Sequence, residues 1–118
     1  EPLQAMKRME LVEGERSLSW ALTAVPTPGH TPGHTSVAIS SGGERGFILG
    51  DVVLSPADAE DLTMTNGFDW DHEIARGTRE ATVPRLVRER ALVGGSHLPA
   101  PGLGRFVSAE GHTAWQAL

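Results

Sequence analysis

With 118 residues, 39% of them apolar and 21% charged, the chain has the make-up of one ordinary globular domain, residues 1–118, with a single core. A net charge of −5 argues against nucleic-acid binding, which needs clustered basic surface, and the absence of cysteine leaves any metal to His, Asp or Glu. No apolar run reaches the ~18 residues that span a bilayer and the start has no signal-peptide core, so a soluble, cytoplasmic protein is expected.

The chain starts on a turn-like EPLQ in mid-pattern, with Glu and not Met first, so a preceding segment is expected. Residues 9–12 read as a short edge strand and residues 18–25 as a half-buried strand. The run PTPGHTPGH then ends regular structure, because its prolines and glycines fix extended and turn conformations that can aim side chains. Residues 36–40 and 46–49 form a hairpin around Ser41-Gly42-Gly43, ending at Gly50-Asp51. Residues 55–70 show no periodicity and read as a long loop. Asp71 is the expected N-cap of a helix to about Thr82, with a break at Pro84 and a second short helix over 84–90. A strand at 91–93 leads into the SHLPAPGLG loop, and residues 106–107 and 113–117 form a closing hairpin around Glu110-Gly111.

Three of the five histidines, His30, His34 and His97, lie in Gly/Pro-rich loops that follow strands, and Asp51 stands at the tip of an apolar strand. Strand ends are where a rigid sheet holds functional groups at fixed separation. Imidazole and carboxylate donors on separate loops suit Zn(II), Mn(II) or Fe(II), and a carboxylate can bridge two ions. Elsewhere ordinary structural roles are the better expectation. Arg76, Arg79, Arg85, Arg88 and Arg90 interleave with Glu73, Glu80 and Glu89 as a solvated helix face, and cap and first-turn chemistry accounts for Asp69, Asp71, His72 and Glu73. His112 falls in a terminal turn, and Phe68 and Trp70 either pack under a loop or touch an apolar substrate. Ser96 lacks a nucleophile signature such as GxSxG.

The ordered set TPGHTPGHTS (27–36), GGERGFILGDVVLSP (42–56), FDWDHEIARGTRE (68–80) and GGSHLPAPGLGRF (94–106) resembles the C-terminal half of the metallo-β-lactamase superfamily. SHLPAPG is more similar to the lactonase and organophosphate-hydrolase-like branch than to the thioesterases. The resemblance implies an α/β fold: half of an αβ/βα sandwich, with a mixed, mostly antiparallel sheet and helices on one face. It implies His30 as a ligand of a first zinc, Asp51 as the bridging and catalytic carboxylate, His97 as the last ligand of a second zinc, and His34 as a residue behind the ligands. The ions, zinc or else manganese or iron, would activate a water and polarise the scissile carbonyl or phosphoryl oxygen of an ester, lactone or related bond.

The family's HxHxDH motif, source of the other four ligands, does not occur in this chain. An incomplete, inactive half is therefore expected, its apolar sheet face covered by the missing N-terminal half or by a second copy. Two other readings stand beside it: a non-catalytic binding or dimerisation module, and a single-metal site of His30, Asp51 and His97 alone.

Overall fold

The computed structural model describes residues 2–118. After a helical turn, α1 (Pro2–Ala5), come β1 (Arg16–Ser17), β2 (Leu22–Pro26), β3 (Thr35–Ser41), β4 (Glu44–Ile48), α2 (Pro56–Glu60), α3 (His72–Glu89), β5 (Leu92–Gly94), β6 (Leu103–Ala109) and β7 (His112–Ala117). The strands form one seven-stranded sheet in chain order. Every neighbouring pair is antiparallel except β4 and β5, which run parallel because the helices intervene and return the chain to the same end.

Register assigns the two faces. Cross-strand partners share a face, so Ala38, Phe47 and Val93 lie on one side, as do Phe106 and its partner Trp115. This side meets Val83 and Leu86 of α3 and Ala59 of α2 in one buried cluster. The next register row, Val37, Ile48, Gly94 and Leu103, lies on the opposite side. Phe47 is 1% exposed and its neighbour Ile48 is 48% exposed, so the helices cover only one face and the other is apolar and open.

Two hairpins close on paired positive-φ residues, Gly42-Gly43 and Glu110-Gly111, the conformation that matches the twist of the flanking strands. Elsewhere four expectations are corrected. Residues 9–12 are exposed irregular chain, and Arg16–Ser17 takes the edge by pairing with Ala24 and Thr23. Residues 18–21 turn instead of extending, because Ser19 Oγ accepts from the Ala21 and Leu22 N–H groups. The 55–70 loop contains α2, whose buried Asp58 accepts the Leu54 and Ser55 N–H groups. Finally, α3 runs unbroken through Pro84. Losing that helical hydrogen bond costs about 3 kcal/mol, but Val83 and Leu86 on either side are fully buried, and their packing offsets it.

Asp71 caps α3 by accepting from Ile74 N–H at 3.0 Å, and Arg90 ends it in the left-handed conformation. His112 is the first residue of β7, not a turn residue. Among the described residues no helix is long and apolar enough to cross a membrane.

Candidate metal centre

Four loops at one end of the sheet hold the histidines and carboxylates together. The 27–34 loop is pressed onto the start of α3. Gly29 has φ +134°, and a Cβ there would lie 2.3 Å from Ala75 Cα, so only glycine permits the approach. Three hydrogen bonds fix the contact: Thr78 Oγ1 donates to Pro28 O at 2.6 Å, and Trp70 N–H and Asp71 N–H donate to His30 O and Gly29 O at 3.1 Å each. His30 is aimed by this docking.

Asp51 follows Gly50, whose φ of +61° turns the chain out of β4. Behind the turn stands His34, and Asp51 N–H donates to its Nε2 at 2.7 Å. A backbone N–H can only donate, so Nε2 is the bare nitrogen and Nδ1 carries the proton. That proton faces Thr27 O at 3.0 Å and Thr27 Oγ1 at 2.9 Å. The Thr27 hydroxyl donates to Ser36 Oγ at 2.8 Å, and Ser36 donates to Leu49 O at 2.8 Å. This run of hydrogen bonds ties Asp51 to β3 and to the ends of β2 and β4 through buried Thr27 and Ser36.

His97 is presented by a self-closed loop. Gly95 N–H donates to Gly102 O at 2.9 Å and Gly102 N–H to Pro99 O at 2.8 Å, while Leu98 plugs into the core beside His97. The geometry that results is symmetric about one carboxylate. His30 Nε2 lies 3.4 Å from Asp51 Oδ2, and His97 Nε2 lies 3.1 Å from Asp51 Oδ1. These three residues, with Leu54 and Phe68, line a cleft of about 430 Å³. His34 faces away from it, behind Asp51.

Asp69 and Arg79 also belong here. Asp69 is not a cap: its Oδ1 lies 3.3 Å from His30 Nδ1, and its Oδ2 accepts from Arg79 Nη1 at 3.2 Å and Asn66 Nδ2 at 3.1 Å. Arg79 is not on the solvated face: it is 1% exposed and also donates to Met64 O at 2.7 Å. Arg76–Glu80 and Arg85–Glu89 do form exposed pairs one turn apart, as the alternating charges imply. The sequence signal that separates Arg79 from them is its position on the helix face of Ala75, Thr82, Val83 and Leu86, all buried.

The donors suit divalent cations in kind, being two imidazoles that each face a different oxygen of one carboxylate. They fall short in number. Among the described residues no three His, Asp or Glu side chains stand around one point, whereas zinc takes three or four protein donors.

No protein-family model and no curated protein sequence matches the chain. Solved structures do. AidC, a dizinc quorum-quenching lactonase in complex with a product, is similar at a TM-score of 0.85 and 27% identity over 96% of this chain and 39% of that one. The hydrolase AbOPH of the beta-lactamase superfamily is similar at 0.84 and 28%, over 99% of this chain and 40% of that one. A probable metal-dependent hydrolase from Staphylococcus aureus shares the fold at 0.80 and 17%, over 96% of this chain and 41% of that one. The chain thus spans about two-fifths of the length of the structures it matches. Its sheet and helices are those of the metallo-β-lactamase fold, seen in part. Among the hydrolases of that superfamily, its neighbours include lactonases.

Proposed function

We propose that the chain is the C-terminal half of a metal-dependent hydrolase that cleaves an ester, lactone or related bond in a small molecule. The four ligands it lacks would come from an HxHxDH motif in an N-terminal half packed on the open sheet face. The observation that supports this most directly is Asp51 with one histidine at each oxygen. A carboxylate so placed suits two ions, with His30 on the Oδ2 side and His97 on the Oδ1 side.

Zinc, or manganese or iron, held there would supply Lewis acidity to activate water and polarise the scissile bond. The chain's own residues do the rest. His34 and its hydroxyl relay hold the Asp51 backbone at a fixed height in the cleft. Leu54 and Phe68 offer an apolar wall to the organic part of the substrate. With two of the usual three or four donors per ion, this chain alone is expected to bind metal weakly and to turn nothing over.

The test joins the chain to an upstream half carrying HxHxDH and assays lactone and ester hydrolysis with and without zinc. Turnover abolished by Asp51→Asn is the expected result, and undiminished turnover in that variant overturns the assignment. A second reading, a non-catalytic dimerisation module, draws on exposed Ile48 and Leu103 of the open sheet face. Light scattering decides it: a stable dimer of the chain supports it, and a monomer opposes it.

A further inference from the structure

We infer that Asp69, itself held by buried Arg79, is a positioning residue for His30: it takes the Nδ1–H and thereby turns the bare Nε2 toward Asp51. The contact joins residues 39 apart in sequence and is one of a closed set. A guanidinium is always charged, and Arg79 is sealed in the core, so it needs a counter-charge there. Asp69 is the carboxylate it meets, with both oxygens available as acceptors. Oδ2 is used by two donors, Arg79 Nη1 and Asn66 Nδ2. The Asn66 amide is itself oriented, since its Oδ1 accepts Phe68 N–H at 2.9 Å. Only Oδ1 is left for the imidazole, and a proton on Nδ1 satisfies it, against the competing pull of the more exposed Asp51 carboxylate, whose Oδ2 lies 3.4 Å from Nε2.

The same donors make the consequence of one substitution definite. In Asp69→Asn the amide oxygen must stay where Arg79 and Asn66 donate, so the new NH2 faces His30 Nδ1. An NH2 group cannot accept a hydrogen bond, so the ring must expose a bare Nδ1 and move its proton to Nε2. The donor nitrogen would then be blocked. Fixing a ligating ring through its second nitrogen is worth about 10–100-fold in metal affinity.

The claim that Nε2 serves a metal rests on the function proposed above, whereas the tautomer does not, and the two are measured separately. Long-range 1H–15N spectra of 15N-histidine-labelled chain, taken upward in pH until His30 is neutral, should show Nδ1–H in the wild type and Nε2–H in Asp69→Asn. Wild-type chain with the proton on Nε2 overturns the inference even if the variant fails to fold, as does a folded variant that keeps Nδ1–H. Zinc titration by calorimetry should then show affinity about 10–100-fold lower in Asp69→Asn. Equal, measurable affinity in the two proteins overturns the positioning role. Where the chain alone binds zinc too weakly to give heat, as two donors per ion imply, the same titration is made on the chain joined to an upstream half carrying HxHxDH; no zinc binding there overturns the metal reading and leaves the tautomer result to decide the inference.

Discussion

Replacing Gly50 by alanine tests whether His34 holds the Asp51 turn. Gly50 has φ +61°, and a Cβ there would lie 2.6 Å from His34 Nε2 and 2.8 Å from its Cε1, closer than real contacts allow. Gly42 supplies the control, with φ +57° and nothing within 4 Å of its Cβ. Alanine in the left-handed region costs about 1–2 kcal/mol at either site, so that contribution cancels between the two variants. What remains at Gly50 is displacement of the imidazole, which breaks the 2.7 Å bond from Asp51 N–H. Leaving a partly buried donor without its acceptor costs about 1–3 kcal/mol. Gly50→Ala should therefore lose about 2–5 kcal/mol and Gly42→Ala about 1–2 kcal/mol, read from urea midpoints at constant m. Equal losses would falsify the claim that the ring supports the turn.

Two further perturbations probe the sheet and the surface. Phe47→Ala should cost about 3–5 kcal/mol because the ring is buried against α3, and Ile48→Ala well under half as much, since its side chain lies on the open face; similar urea midpoints for the two would mean that face is covered. The Thr63 hydroxyl and then its N–H hold the exposed Asp61 carboxyl below the ordinary carboxylate range. The folded value lies below the unfolded one, so the small stability this contributes is present above the unfolded value and fades as pH falls through the folded one. In Thr63→Ala, carbon-13 titration should show Asp61 moving back up toward the ordinary value, and an unchanged curve would refute the hydrogen-bond cause.

What the sequence made legible was what local chemistry decides. Glycines at 42, 43, 50 and 111 mark positive-φ turns because the residue type and the conformation are tied at one position. Three chemistry-bearing loops could be assigned to strand ends because alternation and turn residues locate strand ends without any knowledge of packing. Packing decided what stayed hidden. Pro84 forbids a helix only in isolation, and the burial of Val83 and Leu86 could not be read until β4, β5 and β6 were in place. Arg79 differs from its exposed neighbours only in sharing a helix face with Ala75, Val83 and Leu86, and Asp69 is indistinguishable from a capping residue until the 27–34 loop docks on α3 and brings His30 to it. The same dependence governs the metal centre. Each loop aims its own donor by local hydrogen bonds, but on the function proposed above an ion would need donors from both halves of the fold at once. On that proposal the two-sided carboxylate at Asp51, with a histidine at each oxygen, is the feature of this chain that says most about what would face it: two sets of nitrogen and oxygen donors, one on each side.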